Sequence, residues 1–134
     1  MRERDAAAGD AGSEGGDRMS YDVCFCDPVS GEEIEINEPH FMRGGTYAVG
    51  GTTTLWLNVT YNYARNYSPH GFSIRDLDGK TALDVIPELE RVISLLKDET
   101  DPDYWKPTDG NAKRALKQIL VMAKMRPDAV IKVY

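Results

Sequence analysis

The clearest prospects for chemistry lie in a glycine-dense segment, residues 40–51. His40 and Arg43 accompany two glycine pairs there, Gly44-Gly45 and Gly50-Gly51. Backbone amides freed by glycines can form a concave nest for an anion, and an arginine can add charge-assisted donors. We assign no catalytic residue, and His40 is the one acid or base worth testing. The segment is compatible with a small-ligand or nucleotide site, and a tight hairpin with ordinary glycines is the alternative.

Aromatic rings and side-chain amides alternate just beyond this segment. Such a mixture is typical of protein hot spots and of ligand stacking, and a partly buried aromatic sheet face is the alternative. With the residues of the glycine-dense segment, the candidate binding residues are Arg43, Gly44, Gly45, Tyr47, Trp56, Asn58, Tyr61, Asn62 and Tyr63.

Metal and cofactor chemistry find little support in the residue types. Cys24 and Cys26 are the only cysteines, and the histidines that could complete a tetrahedral site lie in unrelated contexts. We expect two buried thiols whose side chains point to opposite faces of a strand, which excludes a disulfide between them. The sequence predicts no metal and no cofactor, and it favours a protein that is not an enzyme.

Charge and hydropathy limit the class of partner. The chain has 22 acidic and 16 basic residues, a formal net charge of -6, so its general field repels phosphate backbones and anionic lipid surfaces. No apolar stretch approaches the roughly 20 residues that span a bilayer. We therefore predict a cytoplasmic protein that does not bind a membrane and for which nucleic acid is an improbable partner.

The first half of the folded region reads as strands. Residues 1–18 lack large apolar side chains after Met1 and are predicted to be a disordered tail, with residues 19–134 as one domain. Residues 21–25 and 33–36 predict a hairpin around a Pro and Gly turn. Residues 55–63 alternate apolar and polar side chains with a period of two, which favours a strand, with a helix as the alternative.

The second half reads as two amphipathic helices and a final strand. Leu83, Ile86 and Leu89 begin a helical stripe after Thr81, and Pro87 either kinks this helix or lies in its first turn. The second helix starts at Thr108 or Asp109, and Pro127 stops it. Its predicted buried stripe is Ala112, Ala115, Leu116, Ile119, Leu120 and Ala123, and residues 129–133 follow as a strand. The fold class is therefore α+β, a mainly antiparallel sheet with both helices packed on one face.

Several motifs resemble one group of proteins. These are the runs at residues 40–47, 56–63, 104–105 and 110–112. Through them, residues 19–134 resemble small uncharacterised proteins of bacteriophages, prophages and integrative mobile elements. The resemblance brings no activity with it, but small acidic proteins of such elements often bind a host or element protein. We therefore expect a binding protein that modulates a host defence or replication protein, and the alternative is the small-ligand protein described above.

Overall fold

The structure is a computed structural model that describes residues 19–40 and 52–134. The predicted tail and four of the candidate binding residues, Arg43, Gly44, Gly45 and Tyr47, lie outside the described residues. His40 enters the description only through its backbone, which pairs with Thr52.

The described residues form the predicted α+β arrangement. The five strands are β1 (Ser20–Cys26), β2 (Glu35–His40), β3 (Thr52–Thr54), β4 (Trp56–Thr60) and β5 (Val130–Val133). A three-stranded antiparallel sheet has the order β4-β1-β5, and β2 and β3 form a separate antiparallel pair. The helices are α1 (Ala64–Tyr67), α2 (Ala82–Leu95) and α3 (Asp109–Met125), with short 3-10 turns at Tyr61–Tyr63, Ser68–His70 and Ile74–Leu77.

The turn after β1 forms where the sequence predicts it. The Asp27 carboxylate accepts from the backbone N–H groups of Val29 (2.8 Å) and Ser30 (3.0 Å), and Gly31 has a φ of 76°. The returning chain pairs with β1 only as far as Ile34, whose N–H donates to the Phe25 carbonyl at 2.9 Å. From Glu35 onward it pairs with β3 instead, so the predicted hairpin is shorter than expected.

Strand β4 ends three residues earlier than the predicted strand over residues 55–63. The Thr60 hydroxyl accepts from the N–H of Asn62 at 3.1 Å and caps the 3-10 turn that follows. This turn places Tyr63 and Tyr67 four residues apart on one buried side, with their ring centroids 6.3 Å apart. The alternation therefore predicts the strand correctly over residues 56–60 and fails where a threonine cap ends it.

Helix α2 begins right after Thr81, but the Thr81 side chain makes no capping hydrogen bond. Pro87 lies inside the helix rather than in its first turn. Proline removes the hydrogen bond to the carbonyl of Leu83, one turn earlier. Both side chains lie on an exposed stretch of the helix, and Leu83 is 60% exposed, so water can satisfy that carbonyl.

Helix α3 is capped by Thr108, whose hydroxyl accepts from the N–H of Asn111 at 3.1 Å. Its predicted stripe is buried except for Leu120, which is half-buried, and Met122 adds to the buried residues. The helix ends at Met125, before Pro127, as predicted. One core joins these helices to Val23, Phe25 and Leu57 on one face of the three-stranded sheet.

None of the helices among residues 19–40 and 52–134 has the length and apolar character required to cross a membrane.

Candidate functional site

The loop between α2 and α3 is organised by one buried amide, that of Asn111. Its Nδ2 group donates to the backbone carbonyls of Asp101 (3.1 Å), Asp103 (3.1 Å) and Lys106 (3.2 Å). Its Oδ1 atom accepts from the N–H of Asp101 at 3.1 Å. Asn111 is only 1% exposed. The side chain thus satisfies backbone groups that the loop would otherwise leave unpaired.

Three tyrosines connect this loop to the sheet and to α3, and we call Tyr63, Tyr67 and Tyr104 the tyrosine cluster. The Tyr63 hydroxyl donates to the Tyr104 carbonyl, and the Tyr67 hydroxyl donates to the Ala112 carbonyl at 2.9 Å. The Tyr104 hydroxyl accepts from the buried N–H of Thr60. Burial raises the pKa of all three hydroxyls above the ordinary tyrosine value. The cluster is therefore neutral and serves to hold the loop.

A smaller cluster occupies the opposite face of the three-stranded sheet. Trp56 packs there with Cys24 and Cys26, and both cysteines are buried and form no disulfide. The expectation that the two thiols point to opposite faces was wrong, because residues two apart in a strand share a face. On the neighbouring strand, Asn58 donates through Nδ2 to Ser20 Oγ (2.8 Å) and Asp22 Oδ1 (3.0 Å).

Tyr61 is the exposed member of the aromatic run, with 38% of its surface accessible. Its ring contacts that of Tyr21, with centroids 4.3 Å apart and planes tilted by 52°. The Arg75 guanidinium lies over the other ring of the pair, 5.6 Å from the Tyr21 centroid, which is within range of a cation–π contact. Two aromatic rings and a cation thus stand together at the surface.

A pocket of about 180 Å³ lies beside this group, and we call it the Tyr21 pocket. Its walls are largely aromatic and aliphatic, with one threonine and two serine side chains among them. The lining residues are Tyr21, Thr60, Ala64, Tyr67, Ser68, Phe72, Ser73 and Ile74. A dry cavity of roughly 150 Å³ accommodates benzene. The Tyr21 pocket therefore has room for one aromatic or branched aliphatic side chain.

The structure separates the candidate binding residues that it describes. Trp56, Asn58 and Tyr63 are buried, at 8%, 2% and 0% exposure. Asn62 is half-buried and donates through Nδ2 to the Trp105 carbonyl at 2.9 Å. Only Tyr61 presents an exposed ring. The small-ligand alternative depends on the side chains of His40 and Arg43, which lie outside the described residues.

Sequence reasoning missed Arg75, Phe72 and Asn111. Arg75 and Phe72 lie far along the chain from Tyr21, and only the fold brings Phe72 into the lining of the Tyr21 pocket and Arg75 over the Tyr21 ring. Asn111 follows the capping Thr108 by three residues, but the carbonyls that its side chain binds lie 5 to 10 residues earlier, so no local pattern indicates them.

Within the described parts of the chain, no group of three or more His, Cys, Asp or Glu residues is arranged to hold a metal ion. Comparison with protein-family models, with curated proteins and with solved structures finds no match to the chain.

Proposed function

We propose that this protein is a non-enzymatic binding protein that captures a side chain of a protein partner in the Tyr21 pocket. The observation that carries the proposal is the pocket of about 180 Å³ beside Arg75 and the ring pair of half-buried Tyr21 and exposed Tyr61. Hot spots of protein interfaces centre on aromatic and arginine residues around small, desolvated pockets.

The size of the pocket favours a protein partner over a free small ligand. Pockets for drug-sized ligands measure about 300 to 1,000 Å³, well above the volume found here. A single anchoring side chain fits the observed volume. The remaining affinity would come from contacts around the rim, where Tyr61 supplies apolar surface.

The charge at the rim indicates the chemistry of the partner. Arg75 is exposed and forms no ion pair within residues 19–40 and 52–134, so in this part of the chain its fork of donors can bind a carboxylate. We expect an aromatic or branched aliphatic anchor next to an acidic residue. In this proposal the partner is a host or mobile-element protein of the cytoplasm, in keeping with the resemblance noted from the sequence.

The proposal is tested by filling the pocket. Ala64 lines the pocket and is exposed, so Ala64→Phe adds a ring there without removing a core contact. The matched control is Val121→Phe, which adds a ring on α3 at a side chain that is 47% exposed. Both variants and the parent protein would be used to capture partners from a bacterial lysate, with quantification by mass spectrometry.

We expect a partner that the parent and Val121→Phe retain and that Ala64→Phe loses. Binding of that purified partner, measured by calorimetry, should also weaken on Arg75→Glu, because charge reversal repels the acidic neighbour of the anchor. A partner that binds Ala64→Phe as tightly as the parent would exclude the Tyr21 pocket as the interface.

A further inference from the structure

A second pocket lies where the first turns of α3 face the segment that follows α2. Its volume is about 210 Å³, and we call it the basic pocket. Its lining residues are Asp98, Thr100, Gly110, Lys113, Arg114 and Lys117. It shares none of these with the Tyr21 pocket.

The basic pocket reverses the charge of the rest of the chain. Three of its lining residues are cationic and one is a carboxylate, so the lining residues alone carry a charge of three minus one, or +2. The whole chain carries a net charge of -6. Concentrating positive charge in one concave site of an acidic protein favours an anionic ligand at that site.

Lys113 is the most enclosed of the three cations. Its side chain is 17% exposed, and its Nζ atom lies 2.6 Å from Asp98 Oδ1. Asp98 is 89% exposed, so the partner of this ammonium group is a solvated carboxylate on the loop. The hydrogen bond from Lys113, and the charges of Lys113 and Lys117, lower the pKa of Asp98. The same cations would stabilise an incoming anion.

Arg114 and Lys117 add charge that the described residues do not neutralise. Both side chains are exposed, and in residues 19–40 and 52–134 neither forms an ion pair within 4 Å. An arginine beside two lysines offers a planar fork of donors together with two compact ammonium groups, a combination suited to phosphate oxygens.

We propose that the basic pocket binds the phosphate group of a small phosphorylated ligand, with Lys113, Arg114 and Lys117 as its donors. A phosphate group near pH 7 carries a charge of about -1.5 to -2, which matches the local charge of +2, whereas a carboxylate carries half as much. The exposed carboxylate of Asp98 then holds Lys113 in place until the phosphate displaces it.

The charge of the whole chain selects a small ligand over a nucleic acid. A polymer would place many phosphates along an acidic surface and meet long-range repulsion, whereas a small ligand confines its charge to the pocket.

Calorimetric titration of the full chain with pyrophosphate, at low and at physiological ionic strength, tests the proposal. We expect binding that weakens with salt, and about a tenfold or greater loss of affinity for Arg114→Gln and for Lys117→Gln. Lys132→Gln is the matched control, because Lys132 is an exposed cation on β5 that lines neither pocket. It should change the affinity by less than about twofold.

Asp98→Asn gives a second and opposite readout. Removing the competing carboxylate should strengthen pyrophosphate binding by up to about fivefold, an effect expected of an exposed ion pair. The proposal would be overturned by weaker binding in Asp98→Asn, by equal losses in Lys132→Gln and Lys117→Gln, or by no binding at millimolar pyrophosphate. Tighter binding of a single-stranded oligonucleotide than of pyrophosphate would also overturn it, since the site would then serve a polymer.

Discussion

Replacing the Asn111 amide with a carboxylate tests the interpretation of the loop most directly. Asn111→Asp preserves size and shape but replaces the Nδ2 group, with its two protons, by an oxygen. In the parent protein, the carbonyl oxygens of Asp101, Asp103 and Lys106 lie 3.1 to 3.2 Å from Asn111 Nδ2. They would face a negative charge instead of a donor.

The loss in the free energy of unfolding follows from the hydrogen bonds that the substitution removes. Two donated protons are worth about 0.5 to 1.5 kcal/mol each, and a buried acceptor left unpaired costs about 1 to 3 kcal/mol. An acidic residue in the first turn of a helix returns only about 0.3 to 1 kcal/mol through the helix dipole. We therefore expect a net loss of about 1 to 6 kcal/mol, to be set against the roughly 5 to 15 kcal/mol that stabilises a typical domain.

The loss should depend on pH. Burial and the three carbonyls favour the neutral form of the introduced carboxyl group, so its pKa in the folded state should lie above the unfolded value of about 3.9. A group whose pKa is raised on folding contributes most below the unfolded pKa and loses that contribution as pH rises through the folded pKa. The variant should therefore differ less from the parent at pH 5 than at pH 7.5.

Urea denaturation at both pH values, followed by circular dichroism, measures these differences. Asn62→Asp is the matched control, because its half-buried amide donates to a single carbonyl, that of Trp105. We expect it to lose only about 0.5 to 1.5 kcal/mol. Equal losses in the two variants, or a loss in Asn111→Asp that is the same at both pH values, would refute the role assigned to Asn111.

Three further perturbations follow from packing and burial. Gly110→Ala would place a Cβ atom 2.2 Å from the Glu99 carbonyl oxygen, so a lower thermal midpoint is expected, since overpacking costs about 1 to 3 kcal/mol and the gain in helix propensity is at most about 1. Leu116→Ala should lower the free energy of unfolding, measured by chemical denaturation, by about 2 to 5 kcal/mol, and Leu120→Ala by clearly less, because Leu116 is fully buried and Leu120 half-buried. Equal losses in the two variants would contradict this packing. The free energy of unfolding should hold up to pH 10 and then fall by up to about 1.4 kcal/mol per pH unit for each ring, because the tyrosine cluster ionises more readily in the unfolded state. A flat profile to pH 11.5 would argue against the burial of these hydroxyls.

The periodic segments could be predicted from the sequence because local spacing encodes them. The stripe of α3 reflects burial of one helix face, and the alternation over residues 56–60 has the period of a strand, although all five of those residues are buried. Of the two alternatives for Pro87, the structure excludes a place in the first turn of α2, since the helix begins at Ala82 and the lost hydrogen bond falls on an exposed stretch where water can replace it. No local pattern indicates such compensation.

The candidate site was harder to predict because contact partners are distant in sequence. Tyr63 and Tyr67 have the residue types of a recognition surface, yet their hydroxyls bind carbonyls of residues 104 and 112. The same composition is therefore compatible with an exposed hot spot and with a buried cluster that holds a loop in place. Only the positions of Tyr104 and Ala112 distinguish these two arrangements.

The position of β1 between β4 and β5 has a consequence for the order in which the chain can fold during synthesis. Val23 pairs with Leu57 on one side and with Val133 on the other. On a translating ribosome, β1 can meet β4 early, but its second edge stays unpaired until residues 130–133 emerge. Unpaired edges of apolar strands template aggregation. A nascent chain stalled before β5 should therefore be the form most in need of chaperones.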